Sequence, residues 1–234
     1  MAKVAISIYG IAIPLMTRLD VRNFFTNCLN SSIQLINENN DVLITKGMII
    51  KPPYIPIPEK IDFVKKQNYL SGFFGDIRPL QALEITHLYD NIQNNATSKA
   101  ILIGFSQTAK LQQVQQFFLK GKEISSKHID IFSKILHNED LPALPLMDHL
   151  VTDSTFAPFS DKLMLAHKLD MFSMRIRTYG NSLAVTARHD LSAVYARLLL
   201  DVGNYAEDGA NLLIDHGWLE QPPQAADRDA LVQK

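Results

Sequence analysis

Between residues 111 and 135, apolar and small side chains return at alternating steps of three and four: Leu111, Val114, Phe118, Gly121, Ser125, His128, Phe132 and Ile135. That spacing puts them on one stripe of an α-helix, the stripe by which a helix packs into a bundle. The pattern along the chain predicts four long helices over about 77–108, 110–137, 158–187 and 189–216. Ser154, Ser160 and Asp161 supply capping side chains before the third helix, and Pro158 suits a first turn. No strand-like alternation of useful length occurs, so the predicted class is all-α.

Residues 1–46 read as a shorter helical hairpin bearing Phe24, Phe25, Leu29, Ile33, Ile36, Leu43 and Ile44. It ends in "KGMIIKPP", and the helix predicted to close at 216 ends in the similar "HGWLEQPP". Gly47 and Gly217 fit the left-handed turn after a helix, and the paired prolines stop the helix from resuming. Met48 and Trp218 are placed to fold back over a bundle end.

The likeness extends without a gap at an offset of 170 residues. Met1 falls on Met171, Tyr9-Gly10 on Tyr179-Gly180, Arg18 and Asp20 on Arg188 and Asp190, Leu29 on Leu199, and Pro52-Pro53 on Pro222-Pro223. Matched Gly, Pro and Arg positions over about sixty residues indicate a duplication. The expected organisation is the C-terminal half of a first repeat, 1–61, with its proline-rich linker, followed by a complete four-helix repeat, 62–234; the first repeat would lack its front half.

The predicted helices of about 28 residues would each be ~42 Å long. Residues 138–157 carry prolines and could span much of that length as a crossover, or could fold back. A four-helix bundle with one long crossover is a ferritin-like arrangement.

The segments "KPPYIPIPEKIDFVKKQNYLSGFFGDIRPLQALEITHLYDNIQNNA", "KHIDIFSKIL", "VTDSTFAPFSDKLM" and "YAEDGANLLIDHGWLEQPPQAADRDAL" resemble a family of unknown function from endospore-forming bacteria (domain of unknown function, family 3231). Its members carry two tandem ferritin-like bundles similar to the spore coat protein F domain. The resemblance covers essentially the whole chain. It implies a ferritin-like fold and a link to spores, carries no catalytic residues, and leaves the first pair of helices without a counterpart here.

Ferritin-like di-iron centres take a Glu from each of two helices and a Glu-x-x-His from each of the other two. One such unit is present, Glu84 and His87 in "EITH". His128 lies on the apolar stripe of its helix and His167 on the next, beside Met164, Met171 and Met174; antiparallel helices would bring these histidines to similar depth. Glu84, His87, His128 and His167 are therefore the candidate ligands, with iron, zinc or manganese the metal if one is held. The second Glu-x-x-His is missing, so a full di-iron centre is not expected, and no cofactor is the first expectation. Arg18 with Asp20, and Arg188 with Asp190, read as caps at the start of the last helix of each repeat.

Composition narrows the alternatives. The net charge of −1 offers no basic face for nucleic acid. The lone Cys28 excludes an internal disulfide framework and fits a reducing, cytoplasmic compartment. "MAKVAISIYGIAIPLM" outlines a secretory signal, yet its repeat counterpart "MFSMRIRTYGNSLAVT" lies inside the chain with two arginines, and the stretch is too short to span a membrane. Phosphate loops, Cys-x-x-Cys pairs and nucleophile elbows are absent from the sequence. The expectation is a structural or interaction protein with a spore association, homodimeric through the 1–46 hairpin, whose exposed apolar side chains would cost ~10–20 kcal/mol if left in water. The alternative is a metal-binding protein using an incomplete ferritin-like site.

Overall fold

The computed structural model describes residues 2–232. The described residues form helices and no strands: α1 (Ala2–Ala12), α2 (Leu19–Thr45), α3 (Ala82–Thr108), α4 (Gln112–His137), α5 (Asp161–Val185), α6 (His189–Asp215) and the short α7 (Arg228–Val232). They fall into two compact units, Met1–Pro52 and Pro53–Lys234. The boundary precedes the expected break at 61, because Pro53 is buried and Ile55 packs against the core of the second unit.

In the second unit α3 packs on α4 and α5, and α6 packs on α4 and α5, giving a four-helix bundle. Its helix ends are tied by carboxylates borrowed from neighbouring helices. Asp161, in the first turn of α5, accepts the backbone N–H groups of Lys110 and Leu111 at 3.1 and 2.7 Å, which caps the turn between α3 and α4. Glu84, in the first turn of α3, accepts the N–H groups of Ala187 and Arg188 at 3.0 and 3.3 Å in the turn between α5 and α6. Such turns leave backbone donors without intrahelical partners, and each carboxylate satisfies two of them.

These contacts fix the directions. The start of α5 lies at the α3–α4 turn, so α5 runs parallel to α4, and residues 138–160 must travel the length of the bundle. They do so along α3: Asp148 pairs with Lys99 at 2.7 Å, and the Thr152 carbonyl accepts from Gln107 at 3.3 Å. The connection is thus a crossover, the first of the two courses open to it.

Two predicted helix starts shift for local reasons. The first lies at 82 rather than 77, because Gln81 is the N-cap of a reciprocal capping box with Glu84. The third lies at 161 rather than 158, because the Ser160 hydroxyl accepts from Leu163 N at 3.2 Å.

The core is rich in aromatic rings. Phe118, Phe132, Phe172, Tyr179, Tyr195 and Tyr205 are all buried, and Phe117 stacks on Tyr205 with ring centroids 4.2 Å apart. Gly121 makes this packing possible: a Cβ there would run into the Tyr205 hydroxyl, which donates to the Phe117 carbonyl at 2.7 Å.

In the first unit α1 packs on α2, with the Tyr9 and Phe25 rings 6.1 Å apart, and no described side chain of either helix is buried. Helix α2 matches α6 bound for bound at the 170-residue offset. Each ends in a glycine at φ 64°, Gly47 or Gly217, followed by an N–H that reaches back to Leu43 O or Leu213 O at 2.8 or 2.7 Å. Each begins with an arginine forked on a carboxylate two residues on, Arg18 on Asp20 and Arg188 on Asp190. Trp218 packs against the core of its unit as expected, whereas Met48 is exposed. Met1, aligned with Met171 in sequence, lies outside the described residues.

Candidate functional site

The four sequence-predicted ligands occupy separate settings in the bundle. Glu84 is buried and fully engaged: Arg78 forks onto it at 2.8 and 2.9 Å, Gln81 N donates at 2.9 Å, and the Ala187 and Arg188 N–H groups add two further bonds. Burial alone would raise its pKa, but Arg78 and the backbone donors outweigh that and hold the carboxyl at about 2. His87, half-buried one turn on, has Nδ1 3.2 Å from the Ser182 hydroxyl.

His128 is fully buried, with Nδ1 2.8 Å from the Tyr179 oxygen and Nε2 3.4 Å from Asp201 Oδ2. Asn95 Nδ2 already donates to the Tyr179 oxygen at 2.8 Å, so the phenol proton is free to go to Nδ1, and Nε2–H then points at Asp201. Burial and the nearby Arg175 charge lower the imidazole to about 4, so it is neutral at pH 7. The chain of bonds ends at the surface, where Lys127 donates to Asp201 at 2.7 Å. His167 is half-buried in a groove of about 230 Å³ with Phe105, Phe159, Leu163 and Met164, and burial lowers its pKa too.

Because α4 and α5 run parallel, the condition that would have levelled His128 with His167 is not met; they lie about 15 Å apart along the bundle at 1.5 Å per residue. Among the described residues, no group of three or more His, Cys, Asp or Glu side chains is placed to hold a metal ion. Glu84, His87, His128 and His167 do not form a ligand set, and the carboxylate such a set would lean on caps a helix turn.

The interior of the bundle instead carries basic side chains that the sequence reading did not single out. Lys168 and Arg175 are buried on α5, Lys168 donating to Ser98 Oγ at 2.8 Å and Arg175 to Ser125 Oγ at 3.2 Å. Both lie near the Phe172 ring, at 5.3 and 4.3 Å from its centroid. A signal for them exists. Asp161, Lys168, Arg175 and Ser182 recur every seven residues on α5, as do Glu84, Asn91 and Ser98 on α3, and all seven are buried. Polar side chains at heptad spacing belong to the packed seam as much as leucines do.

Together Asn91, Asn95 and Ser98 of α3, Ser125 and His128 of α4, Lys168, Arg175, Tyr179 and Ser182 of α5, and Tyr195 and Asp201 of α6 cross-link all four helices. Burial pushes the Tyr179 phenol up to about 12, and Tyr195 and Tyr205 are raised as well. With protonated phenols, a neutral histidine and a committed carboxylate, the arrangement fixes helix register; it presents no activated nucleophile or base to an open pocket.

Among the described residues, no helix is long and apolar enough to cross a membrane. No curated protein matches the chain. A crystal structure described as "a putative spore coat protein" from Bacillus halodurans superimposes with a TM-score of 0.59 at 14% identity, covering 64% of this chain and 98% of that one. At that identity the likeness concerns the fold. Residues 1–61 and 69–231 match the family described as "Protein of unknown function (DUF3231)", and with nearly the whole chain covered, this protein belongs to DUF3231.

Proposed function

We propose that this is a non-enzymatic assembly protein of the bacterial spore, in which hairpins α1–α2 of two copies combine into one intermolecular ferritin-like bundle. The observation that carries the reading is the uncovered apolar face of the hairpin. Phe24, Leu35 and Ile44 are 62%, 49% and 59% exposed. On α6, Leu191, Tyr195, Leu198, Val202, Tyr205, Gly209 and Leu213 are buried. The residues 170 earlier are Val21, Phe25, Cys28, Ser32, Leu35, Asn39 and Leu43, an uncharged stripe along α2.

In α6 that stripe packs against α5 and α4. A second hairpin related by a two-fold axis would complete four helices with the same patch on both sides. With no charge on the stripe, self-pairing meets no like-charge repulsion. Burying each large apolar side chain contributes about 1.5–3 kcal/mol, so Val21, Phe25, Leu35 and Leu43 together contribute about 6–12 kcal/mol, comparable to a typical domain stability of about 5–15 kcal/mol. The spore setting is supported by the family resemblance and by the description of the Bacillus halodurans protein.

Cys28, the only cysteine and half-exposed in the single chain, reports on the pairing. Its alkylation is expected to be slow at high protein concentration and to accelerate on dilution. A rate independent of concentration and equal to that of a hairpin variant carrying Phe25→Asp and Leu35→Asp contradicts the reading.

A further inference from the structure

Lys168 and Arg175 pose an electrostatic question that the assembly reading does not answer. Lys168 is 0% exposed and Arg175 6%, and among the described residues neither has a carboxylate within ion-pair distance. The other buried cation, Arg188, has two, Asp190 and Glu139, at 2.8 Å. A cation in a packed interior is costly unless an opposite charge accompanies it. Neutral hydroxyls and one aromatic face do not supply that charge.

The surroundings are also rich in donors. Arg175 Nη1 is buried and has no acceptor. Ser98 and Ser125 each accept from a cation, and neither hydroxyl donates back to its helix as Ser182 does to Thr178 O at 2.8 Å. The acceptors left over, Asn91 Oδ1 and Asn95 Oδ1, are uncharged. Packing by itself does not call for a cation here, since the residue 170 before Arg175 is Ala5.

We propose that the bundle core binds a small monovalent inorganic anion of the halide class, held between Lys168 and Arg175 with the Ser98 and Ser125 hydroxyls as further donors. A halide needs no proton donor of its own geometry, and its single negative charge balances the Arg175 guanidinium, while burial and the neighbouring Arg175 hold the Lys168 amine well below the usual lysine range. A single buried water would satisfy Nη1 but leave the charge uncompensated, which separates the two possibilities experimentally.

The test uses the whole chain. Its melting temperature is followed as chloride replaces gluconate at constant ionic strength, and crystals grown in bromide are measured at the bromine absorption edge. The expected results are a melting temperature that climbs about 3–6 °C per tenfold rise in chloride once the site begins to fill, and an anomalous peak beside Arg175. Arg175→Met and Lys168→Met, checked for helicity, should lose the chloride response. No chloride-specific rise in the wild type, or a water-like peak without anomalous signal, overturns the proposal, as does a response that persists in both variants.

Discussion

Glu84 Oε1 in the first turn of α3 accepts the backbone N–H of Ala187 at 3.0 Å, joining at one end of the bundle two chain segments that are more than a hundred residues apart in sequence. Arg78, Gln81 and Arg188 converge on the same carboxylate. Removing it would leave the half-buried Arg78 guanidinium without its carboxylate and several backbone donors unpaired. Glu84→Ala is expected to cost about 3–5 kcal/mol, lowering the melting temperature by roughly 6–20 °C for a chain of this size. Calorimetry of the variant checks this, and a loss under 1 °C would show that the clamp carries no stability.

Acid should destabilise the protein in two successive steps. His128 has a folded pKa of about 4 against an ordinary 6.5, so the unfolded chain binds the extra proton and stability falls as pH drops from about 6.5 to about 4. Glu84, at about 2 against 4.5, contributes stability that is intact above 4.5 and lost on the way to 2. Each step is worth about 3 kcal/mol. Denaturant midpoints against pH should show the upper step vanish in His128→Gln and the lower one vanish in Glu84→Gln. An upper step unchanged by His128→Gln would assign it to another group.

Gly121 and Tyr205 form a matched pair, since a side chain at 121 would occupy the space of the phenol oxygen. Gly121→Ala should cost about 1–3 kcal/mol through overpacking. The double variant Gly121→Ala, Tyr205→Phe should recover part of that loss, because the nearest clashing atom, the phenol oxygen, is gone while the ring Cζ remains. A double-mutant cycle in urea gives the coupling directly, and strict additivity would contradict the geometry.

Iron, zinc or manganese should not bind stoichiometrically at Glu84, His87, His128 and His167, which sit in separate surroundings. Elemental analysis of protein purified without chelators is the check. A stoichiometric ion that disappears in the His87→Ala, His128→Ala double variant would restore the metal-binding alternative.

The helices and their ends were legible because the cues were local. The three-and-four spacing of Val114, Phe118, Gly121, Ser125, His128 and Phe132 falls on the buried face of α4, and Gly217 ends α6 as its φ of 64° requires. The candidate site was less legible because its meaning depends on direction and distance. "EITH" has the spacing of a metal-binding unit, yet Glu84 is claimed by Arg78 from the preceding loop and by a turn a hundred residues away, neither of which a four-residue pattern can report. The parallel course of α4 and α5 separates His128 from His167, and it follows from the path of residues 138–160 along α3. Lys168 and Arg175 escaped notice because charged residues are usually assigned to the wet face of a helix, although their seven-residue spacing placed them on the seam.

The central claim is that the hairpin stripe of Phe25, Cys28, Leu35 and Leu43 is closed by a second copy of the chain. Multi-angle light scattering on the eluting protein at micromolar concentration tests it most directly. The account predicts a single species of twice the 26.4 kDa chain mass, reduced to one chain mass by Phe25→Asp together with Leu35→Asp. A monodisperse wild-type species at one chain mass would contradict it.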